Sequence, residues 1–583
     1  MHGFFNRLLR VDLSNRTYGY EELSDALLSR TLGGKGLGTH LLWEENAPGV
    51  DPLAPEAAFI ITTGPVTGTK MWSQSRFGVY AKSPATGGYG ESYCGGALAP
   101  KIKATGVDAI VITGAADALT HLVITDEGVE FSDAGDLAGA ETFAAEDAVL
   151  ASAPEGAGAM TIGPAGEHLV AQACVKVNKW RSIGRGGMGA VLGSKMVKGI
   201  AFSGSAKCPV ADPERLTRLI KSVAAAGKAS PVTGRYQQFG TIMQVAVING
   251  FKCFPNTYWS SGRLDGWESL SGEYMLEHFD VKKNGCPNCF LQCTKYNRVR
   301  EGRHAGLELD GPEYETVYAL GGLNGIDSLE EVAWLNVICD KLGLDTMSAG
   351  NMTAFAIEAY KRGKSDFEID YNQPDKVAEL LEMIAHRRGI GAVLAKGIKE
   401  AAREWDLEDI AVHVKGLEPA GFDPRVFKGM GLTYAVSARG ACHLRGTFYK
   451  AEQSGEIDPA QIEGKAELMI DYEDRSCLLD TMILCRFFRD LVKWDELSEL
   501  IAATTGLELT KEQLQSIAND ITQKTRAYNL REGITRDEDR LPTRIVREAT
   551  KEGNRITEQE ISELIADYNR IRESRSEALE AAR

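Results

Sequence analysis

Three cysteines lie close together in one short segment and could hold an inorganic centre. Cys286, Cys289 and Cys293 follow a C-x2-C-x3-C spacing, and a cubane iron–sulfur cluster takes four thiolates. The fourth ligand must come from elsewhere in the chain, and Cys485 is the best candidate. A zinc site and simply buried thiols are the alternatives, but zinc sites usually show paired C-x2-C knuckles or closely spaced histidines, and neither is present. The spacing favours an iron–sulfur cluster in an electron-transferring oxidoreductase.

Composition narrows the class of protein further. A net charge of −16 over 583 residues argues against nucleic-acid binding as a main role. No apolar run approaches the roughly 20 residues of a membrane span, and Met1–Arg7 lacks the pattern of a secretory signal. Eleven cysteines without an export signal indicate a cytoplasmic protein whose thiols are ligands and not disulfides. The other seven are expected to be small buried side chains, namely Cys94, Cys174, Cys208, Cys253, Cys339, Cys442 and Cys477.

Glycine is enriched, and the first part of the chain contains three glycine-rich patches. They are Leu32–Gly38, Ser92–Gly96 and Arg181–Ala190. Bare glycine backbone with interleaved arginine suits a phosphate or another anion, because N–H groups can approach closely and arginine adds charge. None of the patches ends in the Gly-Lys-Ser/Thr of a P-loop, and none is a convincing dinucleotide fingerprint. Plain loop glycine is the alternative for each patch.

The pattern of elements predicts an α+β protein. Short glycine-bounded runs rich in β-branched residues predict strands in the first 208 residues or so, and His121–Phe131 predicts a hairpin. From Asp212–Pro213, an N-cap followed by proline, apolar residues recur at helical spacing. We expect a β-rich domain of packed sheets over residues 1–210, followed by two mainly helical domains over residues 211–418 and 419–583.

Capping signals place several helices in the second part of the chain. A capping box at Ser328 opens a helix that ends at Gly343, and further boxes stand at Thr510 and Thr557. Helices are also predicted near residues 375–388 and 391–404. Residues 421–446 contain glycines and are expected to be irregular.

In order along the chain, these segments resemble the tungsten-containing aldehyde:ferredoxin oxidoreductase family. The resemblance covers nearly the whole chain, and several specific motifs occur in the family's order. They are Leu8–Leu13, Ser75–Gly78, Arg181–Lys195, the cysteine triplet, Gly311–Glu315, Asp340–Asp345 and Asp480–Cys485.

The resemblance implies a cofactor at the domain interface, made of two pyranopterin dithiolenes that chelate one tungsten, with a [4Fe–4S] cluster close to one pterin. Molybdenum binds the same dithiolenes, and a Mg²⁺ between the pterin phosphates is expected. A carboxylate can accept two N–H bonds from the edge of a pterin, so two pterins need the two Asp motifs. The implied cofactor contacts are Arg76, Gly95, Arg181, Ser182, Gly184, Arg185, Asp340, Leu344, Asp345, Arg445, Asp480 and Leu484.

Two positions depart from the family pattern. The second Asp motif has Ile483 where the family has glycine, and Tyr93 stands where many members have an asparagine close to the phosphates and Mg²⁺. The second departure puts the Mg²⁺ site in doubt.

The resemblance also implies catalytic residues and partners. Glu315 is implied as the general base and His443 as the hydrogen-bond donor to the aldehyde oxygen, and Glu313 is the alternative base. The substrate would be a small aldehyde and the acceptor ferredoxin or a ferredoxin-like subunit, in a homodimer or a hetero-oligomer. One alternative is the catalytic subunit of a benzoyl-CoA reductase, a branch that uses a cysteine on tungsten, although no cysteine lies between Cys293 and Cys339. Another is an electron-relay subunit that has lost tungsten.

Overall fold

Two six-stranded sheets form the first part of the molecule, whose computed structural model describes residues 1–582. Most of their central strands have all side chains buried, which explains why the strand sequences are apolar runs without clear alternation. The first sheet has the order β2-β1-β6-β3-β4-β5 and the second β11-β10-β9-β12-β7-β8. The strands are β1 Arg7–Asp12, β2 Thr17–Glu22, β3 Phe59–Thr62, β4 Phe77–Lys82, β5 Tyr89–Cys94, β6 Ala109–Thr113, β7 Thr120–Ile124, β8 Val129–Asp133, β9 Gly158–Thr161, β10 Val175–Val177, β11 Arg181–Ile183 and β12 Val197–Phe202.

Helices dominate the rest of the chain, as the sequence predicted, and the α+β fold class is confirmed. Six helices lie among the strands: α1 Asp25–Thr31, α2 Gly34–Glu45, α3 Leu98–Ala104, α4 Thr142–Ala151, α5 Pro164–Glu167 and α6 Met188–Ser194. The later helices are α7 Pro213–Ala229, α8 Pro231–Phe239, α9 Gln244–Gly250, α10 Gly272–His278, α11 Tyr314–Thr316, α12 Leu329–Leu342, α13 Thr346–Lys361, α14 Pro374–Ala385, α15 Gly391–Leu394, α16 Ile398–Glu404, α17 Lys428–Val436, α18 Tyr449–Ser454, α19 Lys465–Thr481, α20 Trp494–Thr505, α21 Lys511–Arg531, α22 Thr543–Arg547 and α23 Glu558–Ala582.

A small third sheet carries the cysteine segment. Strands β13 Phe279–Asn284, β14 Thr294–Val299 and β15 Glu308–Asp310 pair antiparallel. The loop between β13 and β14 holds Cys286, Cys289 and Cys293, and the chain leaving β15 leads directly to Glu313 and Glu315. This sheet therefore holds the predicted cluster ligands and the predicted bases on neighbouring loops.

Local signals in the sequence agree with the structure at several helix ends. Asp212 caps α7 by accepting a hydrogen bond from the Arg215 amide, and Gly343 ends α12 in the left-handed region. The box at Thr510 is complete. At Ser328 only half of the box forms, because its hydroxyl accepts from the Glu331 amide while the Glu331 carboxylate binds Arg303 and His304.

Two predictions were wrong in detail. The single helix expected over residues 391–404 is two short helices, α15 and α16, separated at Gly397, whose φ of +93° is incompatible with a continuous α-helix. The stretch 421–446, expected to be irregular, contains the nine-residue helix α17. Among residues 1–582, no helix combines the length and the apolar character that crossing a bilayer would require.

Candidate functional site

One cavity of about 400 Å³ collects nearly all the predicted site residues. Its wall includes the three predicted catalytic residues and every predicted cofactor contact except Leu484, which is buried. Three of the four predicted cluster cysteines also line it. Cys289 does not, and it packs, like Phe290, against a hydrophobic cluster that includes Leu484 and Phe488. The wall is built from both β-sheets and from the helical part of the chain. Residues that are distant in the sequence meet here, such as Arg76 and Cys485, which are 409 positions apart.

The cysteine sulfurs are surrounded by hydrogen-bond donors. The Gly96 amide donates to Cys286 Sγ at 3.2 Å, and Arg76 Nη1 lies 3.5 Å from Cys485 Sγ. Donors of this kind stabilise thiolates and the sulfurs of a cluster. A Cβ on Gly95 would lie 3.1 Å from Cys286 Sγ, so glycine there leaves room beside the sulfur.

The cysteines do not form a site for one metal ion. Within the described part of the chain, no three His, Cys, Asp or Glu side chains are grouped closely enough to bind a single ion. A [4Fe–4S] cluster does not need such a group, because four thiolates surround a core of several irons.

The first Asp motif lies at the end of α12 and the start of α13. Lys176 Nζ donates to Asp340 Oδ1 at 2.5 Å, and Asn336 Nδ2 donates to Asp340 Oδ2 at 2.8 Å. The same lysine donates to the Ser182 hydroxyl at 2.6 Å, which links the motif to the glycine-rich patch Arg181–Ala190. Lys176 was not singled out from the sequence, since an isolated lysine in a strand gives no signal of its partner.

Asp345, which closes the first motif, caps α13 and binds an arginine. Its Oδ1 accepts from the Met347 amide at 3.1 Å, and Arg185 Nε donates to Oδ2 at 3.0 Å. Arg185 also donates to the buried Glu418 at 3.1 Å, a second carboxylate that sequence reasoning missed. Both acids fix the arginine with its guanidinium at the cavity wall.

The second Asp motif is held by two arginines. Arg445 Nη1 lies 2.6 Å from Asp480 Oδ2, and Arg486 donates to both carboxylate oxygens. Arg445 also binds Glu91 at 2.6 Å, and Lys35 binds Glu91 at 3.0 Å. Burial opposes ionisation of Glu91, but Arg445 and Lys35 outweigh it and hold its pKa well below the usual value. Glu91 and Arg486 are thus site residues that the motifs did not reveal.

Tyr93 occupies the position where a family asparagine was expected. Its hydroxyl donates to Glu91 at 2.6 Å, and its ring lies under the Arg445 guanidinium, 5.0 Å from the ring centre. Tyr93 lines the cavity, so its side chain supports Arg445 and does not offer the amide oxygen of asparagine.

Several buried polar atoms on the cavity wall lack a partner. They are the carboxylate oxygen Asp310 Oδ1 and three guanidinium nitrogens, Arg439 Nε, Arg445 Nε and Arg486 Nη1. Buried polar groups are nearly always hydrogen-bonded, and guanidinium N–H groups fit phosphate oxygens. Three unsatisfied guanidinium nitrogens on one wall therefore fit a phosphate-bearing cofactor such as a pair of pyranopterins.

The glycine-rich patch Leu32–Gly38 has a different role. A Cβ on Gly34 would lie 2.3 Å from the Thr481 carbonyl oxygen and 2.5 Å from that of Asp480. Glycine there allows the start of α2 to pack directly against the backbone of the second Asp motif. None of its residues lines the cavity, so this patch supports the second Asp motif on the side away from the cavity.

Glu315 and His443 face each other at the cavity wall. Glu315 Oε1 lies 3.4 Å from His443 Nε2, and Glu315 Oε2 accepts from the Gly421 amide at 3.0 Å. Burial raises the pKa of Glu315 to about 8. Burial, and next the positive charge of Arg439, hold the pKa of His443 well below its usual value. At neutral pH the pair therefore consists mostly of a protonated carboxyl and a neutral imidazole.

Glu313 points to another part of the same cavity. The Thr241 hydroxyl donates to its carboxylate. Burial raises the pKa of Glu313, and the Thr241 hydrogen bond and the charge of Arg181 only partly oppose this. Arg181 in turn binds Asp310 at 2.8 Å and Thr294 at 2.7 Å, next to Cys293. Glu313 is thus placed beside the cluster loop and not beside His443.

Aromatic side chains line the cavity next to Glu315 and His443. Phe422 stacks on Tyr449 with ring centres 4.3 Å apart and lies 5.9 Å from the His443 ring. Tyr236 and Phe487 form a second pair at 4.7 Å. This wall provides an apolar surface for the carbon skeleton of a small substrate.

The comparisons with known proteins identify the family. Residues 8–204 match the family description "Aldehyde ferredoxin oxidoreductase, N-terminal domain", and residues 218–577 match "Aldehyde ferredoxin oxidoreductase, domains 2 & 3". The chain belongs to the aldehyde ferredoxin oxidoreductase family. It is therefore a member of a family of oxidoreductases, as the resemblance implied.

Individual relatives agree with this assignment. The chain is 34% identical to the tungsten-containing aldehyde ferredoxin oxidoreductase of Pyrococcus furiosus and 33% identical to that of Thermococcus kodakarensis, and each match covers 98% of this chain and 96% of the relative. It is 28% identical to the P. furiosus aliphatic sulfonate oxidoreductase, WOR-like subunit, over 88% of this chain and 84% of that one.

A solved structure shares the fold. The active-site complex BamBC of benzoyl coenzyme A reductase, bound to 1,5-dienoyl-CoA, contains a chain that matches with a TM-score of 0.84, at 21% identity and over 98% of this chain and 94% of that one. This likeness shows a common architecture.

Proposed function

We propose that this chain oxidises small aldehydes to carboxylic acids and passes the electrons one at a time to ferredoxin or a ferredoxin-like subunit. The observation that carries the proposal is the Glu315–His443 pair, which lies 3.4 Å apart at the wall of the cavity lined by both Asp motifs. The overall reaction converts an aldehyde and water into a carboxylic acid, two electrons and two protons. A site for it needs a base, a donor to the carbonyl oxygen and an electron exit.

The residues of the cavity fit a tungsten or molybdenum bis-pyranopterin. Asp340 and Asp480 would accept N–H groups of the two pterins, while Arg76, Arg439 and Arg445 would hold phosphates or the pterin rings. Bound there, such a cofactor supplies the two-electron redox chemistry that no amino-acid side chain offers. The four cysteines would hold a [4Fe–4S] cluster as the electron exit. A Mg²⁺ between the phosphates would have to be bound without an asparagine at position 93.

Glu315 and His443 would divide the proton transfers. The ionised form of Glu315 takes a proton from the water that adds to the aldehyde carbon. The neutral His443, 3.4 Å away, donates a hydrogen bond to the aldehyde oxygen or holds Glu315 in position. Both side chains are less than one-fifth exposed, and their poorly hydrated surroundings strengthen these interactions. Glu313, with its carboxylate next to Thr241 and Arg181, is less well placed as the base and fits the environment of the cluster.

A benzoyl-CoA reductase is the alternative that the fold neighbour suggests. The cysteines on the described cavity wall are Cys286, Cys293 and Cys485, all assigned to the cluster. No cysteine is left on that wall for tungsten, which favours aldehyde oxidation. A relay subunit without tungsten would have no use for the unpaired arginine nitrogens of the cavity.

Two measurements test the proposal. Elemental analysis of protein purified without oxygen should give about one tungsten or molybdenum and about four irons per chain, with much less zinc than iron. Turnover should then be compared between a panel of aliphatic and aromatic aldehydes and benzoyl-CoA. Iron without tungsten or molybdenum would favour the relay subunit, turnover of benzoyl-CoA alone would favour the reductase, and zinc in place of iron would rule out the cluster.

A further inference from the structure

Five stretches of twenty or more residues contain no acidic residue, and three of them meet at the cysteine loop. The other two, 168–211 and 424–451, contribute to the wall of the cavity described above. The chain has 81 Asp and Glu residues among 583, yet residues 57–90, 215–264 and 281–300 contain none. Together they make up more than one hundred residues, in which the average composition would place about fourteen acids. Where the three segments meet, they therefore supply no acidic side chain to offset their own basic residues.

The three segments meet around the cysteine loop. Trp72, from the first, packs edge-on against Phe290 with ring centres 5.2 Å apart, and its indole donates to the Ile220 carbonyl of α7 at 3.0 Å. Helix α7 approaches so closely that a Cβ on Gly227 would lie 2.3 Å from the Phe290 ring. On α8, Gln237 Nε2 donates to the Phe290 carbonyl at 2.8 Å. The third segment contains the loop itself.

Exposed basic residues stand within two positions of the residues that make these contacts, or on β13, which leads into the loop. Each belongs to one of the three segments, is exposed, and makes no ion pair with a carboxylate in the described part of the chain. We name them the basic collar; its members are Lys70, Lys221, Lys228, Arg235, Lys282 and Lys283.

The centre of the collar is apolar and lies over the cluster ligands. Pro287 and Asn288 are exposed, and Trp72, Cys289 and Phe290 are half-buried. An apolar centre with a charged rim is the usual anatomy of a protein–protein interface. The loop tip between Cys286 and Cys289 is where the cluster ligands come nearest to solvent, and electron transfer between proteins falls steeply with distance.

We propose that the basic collar docks an acidic one-electron carrier protein directly over the cysteine loop. This inference rests on the proposed function, because it assumes that the loop holds a redox centre. At each docking event one electron leaves the reduced cluster, which becomes oxidised, and the iron–sulfur centre of the carrier becomes reduced. Two dockings remove the two electrons of one aldehyde. Opposite charges on the two faces guide association and orient the carrier. The chain as a whole carries a net charge of −16, so the surface outside the collar is acidic and repels the carrier.

Charge reversal on the collar tests the inference. The double variant Lys228→Glu/Lys283→Glu changes one exposed lysine on α7, next to Gly227, and one on β13, which leads into the loop. The matched control Lys551→Glu/Arg555→Glu makes the same charge change at two exposed residues of a segment that contacts Lys252 and Ser260 and not the cysteine loop.

The assay uses enzyme reduced with dithionite, so that no aldehyde turnover is needed. Stopped-flow absorbance follows reduction of an acidic bacterial-type ferredoxin, and in parallel reduction of an electrically neutral, zwitterionic viologen. At low ionic strength the collar variant should reduce the ferredoxin at least tenfold more slowly than the parent protein. The viologen rate and the iron content should stay the same, and the control should match the parent.

The outcomes are distinct. A ferredoxin rate that is unchanged in the collar variant, or lowered equally in the control, would overturn the docking site. If the double variant loses iron, the milder triple variant Lys221→Gln/Lys228→Gln/Lys283→Gln replaces it. We then expect a smaller decrease in the ferredoxin rate, again without a change in the viologen rate. If the proposed aldehyde activity fails while ferredoxin reduction still depends on the collar, only the substrate assignment is wrong.

Discussion

Glu315 Oε1 and His443 Nε2 lie 3.4 Å apart, and the environment shifts the proton affinities of the two groups in opposite directions. Burial raises the pKa of Glu315 to about 8 and holds that of His443 well below its usual value. In water a histidine is more basic than a glutamate; here the order is reversed. The proton of this pair therefore rests on the carboxyl, which makes Glu315 the group whose ionisation controls the site.

Replacing Glu315 by glutamine should abolish most of the aldehyde turnover. Glutamine keeps the size and the contact with the Gly421 amide but cannot accept a proton, so kcat should fall by about 10²–10⁴-fold, the usual contribution of a general base. Steady-state kinetics with a viologen acceptor measures the loss, and metal analysis should show unchanged tungsten and iron.

Glu313→Gln is the matched control for this prediction. It removes a carboxylate two residues away whose partner is Thr241, so kcat should fall by no more than about tenfold. A larger loss in Glu313→Gln than in Glu315→Gln would assign the base to Glu313.

The activity should rise with pH up to about pH 8. The pKa of Glu315 is raised to about 8, so below that pH the carboxyl is protonated and cannot act as a base. In the pH profile of kcat/KM, which reports the free enzyme, we expect a slope of about tenfold per pH unit below pH 8 and a plateau above it. His443, with its lowered pKa, stays neutral throughout this range. A level profile between pH 6 and 8 would contradict Glu315 as the ionising group.

Cys485→Ser should remove the cluster while leaving the fold intact. A serine hydroxyl is far less acidic than a thiol and does not replace the thiolate that the cluster requires. Iron per chain should fall from about four towards zero, with loss of the visible absorption of the cluster.

Cys477→Ser is the control, since Cys477 lies on α19, the helix that precedes Cys485, and its Sγ donates to the Ala518 carbonyl. Its iron content should equal that of the parent protein. Equal iron in Cys485→Ser and the parent would show that the fourth ligand is another residue.

The sequence predicted the site residues that belong to motifs, and the structure gathers them in one cavity. It did not reveal their partners, because those partners are distant along the chain. Lys176 and Asp340 are 164 positions apart, and Arg445 and Glu91 are 354 apart. A single charged residue has no local pattern that indicates which opposite charge it will meet, so Lys176, Glu91 and Glu418 became visible only in the folded chain.

Helix α17 was missed for a different physical reason. Its glycines lower helix propensity, which suggested an irregular stretch. In the structure a Cβ on Gly429 would lie 2.2 Å from the Phe448 ring, so glycine there allows close packing of the helix. Tertiary contact thus overrides the local preference.

The two Asp motifs share one backbone conformation although their sequences differ. The fourth residue has a φ of +77° at Gly343 and +59° at Ile483, and the next amide bonds back five residues in both, from Leu344 to Cys339 and from Leu484 to Leu479. This left-handed turn explains the glycine of the family motif, because a β-branched residue there is strained. Ile483 departs from the motif without changing its geometry.

Ile483→Gly should nevertheless destabilise the protein. Relief of the left-handed strain gains roughly 1–2 kcal/mol. Ile483 is 1% exposed, however, and deleting a buried isoleucine side chain costs about 2–5 kcal/mol, to which glycine adds the entropy of a freer unfolded chain. The balance is a loss of about 1–4 kcal/mol, measured as a lower denaturation midpoint of protein without cofactor. In the first Asp motif, Gly343→Ala should also destabilise the protein. Alanine is strained in the left-handed conformation, and its Cβ would lie 3.0 Å from the Gly163 amide nitrogen. A higher midpoint for Ile483→Gly would mean that strain outweighs packing at this turn.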